Sequence, residues 1–227
     1  MDILLYPKTV LQWSPQKQDA AKARLWTDFG LSAFFNEDFK GQSNLITDGD
    51  YNQLLHDFNV QQHFVITLSH KRFIKKSFLR FQDYFESMGL KEEQINKHDD
   101  SKLTSFLEII GYTQRWIWNE KTEIWNEAWR HHFTSNSHHP EYYTDLDGKQ
   151  ENVQSDMEHF DLMESVIDMI ACRWERQLEG KEDVKNEQLL QIGDYFLNRY
   201  TNNDRGRVKK LLKALFDTSR AKDADVL

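Results

Sequence analysis

The chain has 227 residues, of which 39% are hydrophobic, 29% charged and 13% aromatic. This balance is that of a soluble globular protein with a substantial core, and it excludes a disordered chain. The net charge of −8 argues against a broad nucleic-acid surface, since phosphate binding needs clustered lysine and arginine, and a single cysteine excludes an internal disulfide or a cysteine-rich zinc site.

The first 50 residues differ in pattern from the rest of the chain. A short apolar, strand-like start precedes a predicted helix over residues 14–29, and a stretch rich in Gly, Asn and Asp follows. We expect residues 1–50 to form an N-terminal extension that packs on a main helical domain of residues 51–218. Residues 219–227 are predicted to be a flexible tail.

The clearest predicted helix covers residues 59–88, in a part of the chain without proline. Its apolar residues recur at spacings of three and four, the period of one helix face. His70 falls inside this stripe, so its imidazole is predicted to point inward, and Gly89 is the predicted C-cap. The stripe consists of Ile66, His70, Ile74, Phe78, Phe81 and Phe85.

Further helices are predicted from the periodicity of the remaining chain. The first is capped by Asp100 or Ser101 and runs to about residue 118, after a charged loop. The others cover residues 122–133, 155–178, 186–200 and 204–217. The predicted fold class is therefore all-α.

The apolar residues are too dispersed for a membrane segment. No apolar run reaches the roughly 18 residues of a transmembrane helix, and the first residues do not resemble a secretory signal. We therefore expect a cytoplasmic protein with neither a membrane nor a strong nucleic-acid partner.

His70 and the adjacent pair His98-Asp99 are the first residues that indicate chemistry. A buried imidazole is costly unless it makes a hydrogen bond or binds a ligand. A backbone hydrogen bond would satisfy His70 alone, but His98 and Asp99, at a predicted helix start, offer a neutral nitrogen and an anionic oxygen to one cation. Asp168, on a later predicted helix, adds a second carboxylate. Together these residues predict a site for a divalent metal.

The order of His70, His98-Asp99 and Asp168 resembles the HD-domain superfamily of metal-dependent phosphohydrolases, whose ligands come from separate helices. The run HDDSK, which begins at His98, is similar to the HDxxK variant of that superfamily. The resemblance implies an HD-domain-like helical bundle, and it implies that Lys102 contacts phosphate or substrate.

A closer resemblance covers about residues 65–200. The runs AWRHH and NSHH, with EYY shortly after, are similar to an uncharacterised HD-like family of bacteria, phages and large viruses that shows HDxSK, AWxHH and NxHH motifs. The first 50 residues fall outside it, and the agreement loosens towards the C-terminal side. The last carboxylate ligand therefore stays open between Asp168, Glu164 and Asp161.

The additional histidines bear on the number of metal ions. Superfamily members that bind two ions use additional histidines from the segment between the His-Asp pair and the last aspartate. In this chain that segment contains His132, His138 and His139, so His132 with His138 or His139 corresponds to the additional ligands. The resemblance thus implies one or two divalent ions, of Mn, Fe, Co, Ni, Mg or Zn. Loop capping or support of the ligands is the alternative for His138 and His139.

The resemblance implies a metal-dependent phosphohydrolase whose substrate is a nucleotide or another small phosphate ester. Asp99 would lie between metal and water, Lys102 would neutralise phosphate charge, and His132 or His138 would protonate the leaving group. Two alternatives stay open. One is a di-iron oxygenase of the same fold, and the other is a non-catalytic protein that keeps the metal for stability.

Overall fold

A computed structural model describes residues 6–31, 45–56, 59–118, 122–144 and 154–224. These residues are mostly α-helical, and the β pairing among them is limited to an isolated bridge between Thr144 and Gln154. The predicted all-α fold class is confirmed. None of the described helices combines the length and the apolar character needed to cross a membrane.

The described N-terminal helices are α1 (Tyr6–Leu11), α2 (Pro15–Asp28) and α3 (Asp48–His56). Helix α2 confirms the helix predicted over residues 14–29. Its first turn is capped by Ser14, whose hydroxyl oxygen accepts a hydrogen bond from the backbone N–H of Lys17 at 3.2 Å. The strand-like start falls partly on residues before Tyr6, outside the described residues, and its described part is helical.

The single helix predicted over residues 59–88 is two helices in the structure, α4 (Val60–Arg80) and α5 (Gln82–Ser87). The chain leaves helical geometry at the buried Phe81, where φ is −124° and ψ is 27°. The C-cap residue of α5 is Met88, and Gly89 follows it with φ at +91°, a conformation that favours glycine, so the predicted glycine ends the helix one position after the cap.

The next helices are α6 (Glu92–Ile95), α7 (Ser101–Thr104), α8 (Phe106–Trp118) and α9 (Glu123–Ser135). The helix predicted from residue 100 or 101 to 118 is therefore interrupted. Its break is Ser105, which is extended with φ at −84° and ψ at 116°. Helix α9 agrees with the helix predicted over residues 122–133.

The C-terminal helices are α10 (His159–Cys172), α11 (Asn186–Leu189), α12 (Asp194–Leu197) and α13 (Asn202–Ala224). A 3₁₀ turn at Pro140–Tyr143 precedes α10, and a π-helical turn at Arg173–Gln177 continues it. The helix predicted over residues 186–200 is divided in two because the residues before Asp194 are not helical. Helix α13 extends into the predicted tail, whose last three residues lie outside the described ones.

The described residues cluster into two compact units. The first unit consists of the described residues up to Thr67 together with Asp100–His132. The second consists of Leu68–Asp99 together with the described residues from Phe133 onwards. Each unit thus combines two stretches of chain, which differs from the predicted linear division at residues 50 and 218.

The first unit buries residues of the predicted extension against residues that follow it in sequence. The indole N–H of Trp26, on α2, donates a hydrogen bond to the carbonyl of Leu103 at 2.8 Å. The rings of Phe29 and Phe64 stack with their centroids 4.8 Å apart. These contacts use large aromatic surfaces, which stabilise a core strongly for each residue buried.

The second unit has a continuous apolar core to which α4, α10 and α13 all contribute. Burial of this apolar surface holds α10 firmly, so that polar side chains on its other positions have fixed neighbours. The core includes Ile74, Phe78, Phe85, Leu162, Val166, Ile170, Val208 and Leu215.

Candidate metal centre

Helix α10 and the π-helical turn after it present carboxylates along one face. Asp161, Glu164, Asp168 and Glu175 follow one another at spacings of three, four and seven residues. Such spacings place side chains on the same side of a helix. One buried element thus supplies the acidic half of a possible metal site.

Histidine and aspartate side chains of the second unit bring four ligand atoms close together. Nε2 of His70 lies 3.1 Å from Oδ1 of Asp168 and 3.8 Å from Oδ2 of Asp99. Nε2 of His98 lies 3.6 Å from Oδ2 of Asp99 and 4.0 Å from Oδ1 of Asp168. Two ligands that are each about 2.1 Å from one ion lie about 3.0 Å apart at a right angle and about 3.4 Å apart at a tetrahedral angle. His70, His98 and Asp168 could therefore hold a divalent ion, with Asp99 close to both histidines.

The ring of His98 contains a buried nitrogen that a bound cation would satisfy. The residue is 2% exposed, and its Nε2 has no hydrogen-bond partner among the described residues. A buried polar atom in this state costs free energy. The carboxylates of Asp99 and Asp168 lie beyond hydrogen-bond distance from it. A cation between these groups would satisfy the nitrogen and both carboxylates.

Further carboxylates hold the opposite nitrogens of the two histidine rings. Nδ1 of His98 lies 2.8 Å from Oε1 of Glu164, and Nδ1 of His70 lies 3.1 Å from Oε2 of Glu175. The hydroxyl of Ser69 donates a hydrogen bond to the other oxygen of Glu175 at 2.7 Å. A carboxylate at Nδ1 keeps the proton on that nitrogen and leaves the Nε2 lone pair for a metal. His70 is buried, as the sequence predicts.

The backbone at Asp99 has a left-handed conformation, with φ at +58°. Few non-glycine residues adopt it, although aspartate and asparagine do so more readily than most. The ammonium of Lys71, next to His70 on α4, donates hydrogen bonds to the carbonyls of Asn96 at 3.0 Å and His98 at 2.5 Å. These bonds fix the turn that orients His98 and Asp99.

A second group of possible ligand atoms lies near Oδ1 of Asp99. Oδ1 of Asp99 is 3.6 Å from Nε2 of His138, and Nδ1 of His138 is 3.3 Å from Oε1 of Glu164. One atom each of Asp99, His138 and His139 lie within 4.8 Å of one another. The carboxylate of Asp99 thus has histidines at both of its oxygens, and the second group could also hold a metal ion.

The charged groups of the centre shift the pKa of their neighbours. Burial would lower the pKa of His70, but its hydrogen bonds with Asp168 and Glu175 outweigh burial and raise that pKa to about 9. Burial would raise the pKa of both Asp168 and Glu164. The adjacent histidines instead hold the pKa of Asp168 well below its usual value and lower that of Glu164 to about 2. The carboxylates are therefore charged at neutral pH, and the centre attracts cations.

The three carboxylates that the sequence left open have different surroundings. Asp168 places an oxygen near the Nε2 atoms of two histidines, whereas Glu164 faces Nδ1 atoms. Asp161 accepts hydrogen bonds from the hydroxyls of Ser137, at 2.8 Å, and Tyr143. Asp168, with His70 and His98, and Glu164, with His98 and His138, thus each belong to a group that could hold a metal ion, whereas Asp161 bonds to the preceding loop.

Lys102 and His132, to which the sequence assigns catalytic roles, belong to the first unit. The ammonium of Lys102 lies 5.3 Å from the centre of the Tyr112 ring. Nδ1 of His132 lies 3.1 Å from Oε2 of Glu108, so Nε2 is the ring nitrogen that remains to serve as a ligand. The catalytic roles of both residues stay predictions.

Glu108 organises a buried polar cluster in the first unit. Its carboxylate lies 2.6 Å from Nδ1 of His131 and accepts a hydrogen bond from the Ser101 hydroxyl at 2.9 Å, besides its contact with His132. Burial would raise the pKa of Glu108, but these hydrogen bonds hold the pKa below its usual value. Glu108 is thus an ionised carboxylate surrounded by donors.

Glu108 and Glu175 were not predicted as functional residues. The spacing of seven residues between Asp168 and Glu175 was an available signal, because residues seven apart share a helix face. No such spacing indicated Glu108. Its partner Ser101 lies on the other side of the extended residue Ser105, so a helical period does not relate the two residues.

Comparisons with known proteins add a family but no activity. No curated protein and no solved structure matches the chain. The model of one family, described as a family of unknown function (DUF5662), matches residues 59–213, which is more than half of the chain and includes every residue of the candidate metal centre. The chain therefore belongs to this family of unknown function, DUF5662.

Proposed function

We propose that this protein is a metal-dependent phosphohydrolase that acts on a nucleotide or another small phosphate ester. The observation that carries the proposal is the buried Nε2 of His98, which faces the carboxylates of Asp99 and Asp168 and has no hydrogen-bond partner among the described residues. An imidazole nitrogen between carboxylates is a donor set that divalent metal ions favour.

The charge of the centre supports the same proposal. Four carboxylates, those of Asp99, Glu164, Asp168 and Glu175, lie among histidine rings that each carry at most one positive charge. Buried charges are stable only where opposite charges or donors compensate for them. A divalent cation compensates for two of these negative charges at once.

Hydrolysis of a phosphate ester requires that an oxygen of water bonds to phosphorus while the bond to the leaving oxygen breaks. A bound divalent cation neutralises phosphate oxygens and lowers the pKa of water. Asp99, with histidines at both of its oxygens, is the residue proposed to accept the proton of that water. The leaving oxygen must take a proton, a role that the sequence predicts for His132 or His138, and Lys102 is predicted to neutralise phosphate charge.

The two oxygens of Asp99 favour a centre for two ions over a centre for one. Oδ2 lies near His70 and His98, and Oδ1 lies near His138. In phosphoryl transfer, two ions clamp the attacking and the leaving oxygens. A pair of iron ions could instead serve an oxygenase, so the identity of the metal and the reaction must be tested together.

The test is release of phosphate from a panel of nucleotides and small phosphate esters, with protein purified without chelator and supplied with Mn²⁺, Co²⁺ or Mg²⁺. We expect turnover that chelator abolishes and that Asp99→Asn removes. His159→Gln, at an exposed position on α10, is the matched control and should retain activity. If the metal-loaded protein releases phosphate from no ester but consumes oxygen when loaded with iron, the oxygenase replaces the phosphohydrolase.

A further inference from the structure

The adjacent residues His138 and His139 have opposite kinds of partner at the same ring nitrogen. Nδ1 of His138 lies 3.3 Å from a carboxylate oxygen of Glu164. Nδ1 of His139 lies 3.5 Å from Nη2 of Arg199, in a hydrogen bond with the guanidinium. One histidine thus meets an acceptor, and the other meets a donor.

The nature of the partner determines where each ring carries its proton. A carboxylate accepts a hydrogen bond, so Nδ1 of His138 bears a proton. A guanidinium has only donors, so Nδ1 of His139 must be the acceptor. A ring that accepts at Nδ1 is neutral and bears its proton on Nε2. His139 in this state has no lone pair to give to a metal, because one nitrogen accepts from Arg199 and the other is an N–H.

The contact between Arg199 and His139 is held by the residues around it. Nε and Nη2 of Arg199 donate hydrogen bonds to the two oxygens of Glu141, at 2.8 and 2.7 Å. The guanidinium lies 5.6 Å from the centre of the Phe133 ring, and the same ring packs edge-on against His139 at 4.5 Å between centroids. A paired, planar guanidinium with little freedom is a rigid donor.

We propose that His139 is a neutral hydrogen-bond donor beside the metal centre and not a metal ligand, with Arg199 as the positioning residue that sets its tautomer. The second group of ligand atoms then depends on Asp99 and His138, while His139 offers its Nε2–H to an acceptor. The identity of this acceptor rests on the proposed function: it is an anionic oxygen of the phosphate ester.

The tautomer is tested directly by long-range ¹H–¹⁵N correlation spectra of protein that contains ¹⁵N-histidine, recorded with chelator present. His139→Gln identifies the signals of His139. We expect a neutral ring with its proton on Nε2 in the wild type, and a loss of this pattern in Arg199→Met. Arg205→Met, which removes a guanidinium that bonds to the Leu197 carbonyl, is the control and should keep the pattern. A proton on Nδ1 of His139 in the wild type overturns the proposal.

Metal content provides a second and independent test. We expect His139→Ala to bind as many Mn²⁺ ions per chain as the wild type, and His98→Ala to bind fewer. Inorganic phosphate, titrated into the Mn²⁺-loaded protein, should bind about tenfold more weakly to His139→Ala than to wild type. His139→Gln, whose amide N–H can replace Nε2–H, should restore phosphate binding. A loss of ions in His139→Ala equal to that in His98→Ala overturns the proposal.

The outcomes separate this inference from the proposed function. Absence of phosphate release from every ester would count against the phosphohydrolase, but the spectra in chelator would still determine the tautomer of His139. Conversely, hydrolysis together with a proton on Nδ1 of His139 would support the phosphohydrolase and overturn the assignment of His139.

Discussion

Each of the two units buries a cluster of histidines and carboxylates, and the two clusters differ in their balance of donors and acceptors. In the first unit, the single carboxylate of Glu108 lies within hydrogen-bond distance of Ser101, His131 and His132. In the second unit, four carboxylates lie among the histidine rings, and Nε2 of His98 has no hydrogen-bond partner among the described residues.

This difference separates a cluster whose polar groups pair with one another from one that could hold a cation. Around Glu108, protein donors compensate for one buried negative charge. Around Asp99 and Asp168, carboxylate oxygens face the buried Nε2 of His98 from beyond hydrogen-bond distance, and a cation between these groups would compensate for both. Composition alone does not distinguish the clusters, since both contain histidine and acid. The number and direction of the hydrogen bonds distinguish the two clusters.

Replacement of Asp168 by asparagine should break the second cluster most severely. We expect the affinity for Mn²⁺ to fall by more than about a hundredfold, because loss of a supporting residue alone costs roughly 10- to 100-fold. Asp161→Asn makes the same chemical change on the same helix and should leave the affinity little changed. Calorimetric titration of metal-free protein measures both. Equal losses in the two variants would mean that net charge matters and that Asp168 is not a ligand.

Glu175→Gln should weaken the second cluster without removing a ligand. We expect the affinity for Mn²⁺ to fall by about 10- to 100-fold, because Nδ1 of His70 loses its charged acceptor. Glu187→Gln, at an exposed position on α11, serves as the control. A loss as large as that of Asp168→Asn would indicate that Glu175 itself binds the ion.

Glu108→Gln tests the cluster of the first unit. We expect the free energy of unfolding to fall by about 1.5 kcal/mol, because charged hydrogen bonds are replaced by weaker neutral ones. Urea denaturation in the presence of chelator excludes any contribution from metal. Glu127→Gln, at an exposed position on α9, should change stability little. Unchanged stability of Glu108→Gln would remove the contrast between the clusters.

The pH dependence of metal binding should follow His70. Its pKa of about 9 means that a metal must displace a proton at neutral pH, so the affinity for Mn²⁺ should rise about tenfold per pH unit between pH 6.5 and pH 9. Because this pKa lies above the unfolded value of 6.5, protonated His70 stabilises the metal-free protein fully below pH 6.5, and that stabilisation is lost as the pH rises to 9. Titrations and urea denaturation in chelator across this range measure both trends, and pH-independent affinity would contradict the prediction.

The recurrence of apolar residues at spacings of three and four was sufficient to predict that the chain is helical and that His70 points inward. The glycine predicted to end the helix, Gly89, was an equally local signal, and it adopts a positive φ directly after the C-cap residue of α5. The interruptions at Phe81 and Ser105 were not predictable, because neither is proline or glycine and both remain compatible with a helix locally. They depend on packing between residues distant in sequence.

The candidate centre was predictable in composition but not in the role of each carboxylate. Asp161, Glu164 and Asp168 share one helix face, so spacing cannot rank them as ligands. Their separate roles depend on which histidine nitrogen each approaches, and those histidines lie on other segments of the chain. The same limit applies to His138 and His139, because Arg199 is 60 residues away from His139 in sequence.

The left-handed backbone at Asp99 restricts which amino acids the position can accept. Folding favours residues that tolerate positive φ, chiefly glycine, asparagine and aspartate, and of these only aspartate is an anion. A library randomised at this codon should therefore return all three residues when it is selected for folded protein. The same library should return aspartate alone when it is selected for metal binding, so a single position encodes two separable requirements.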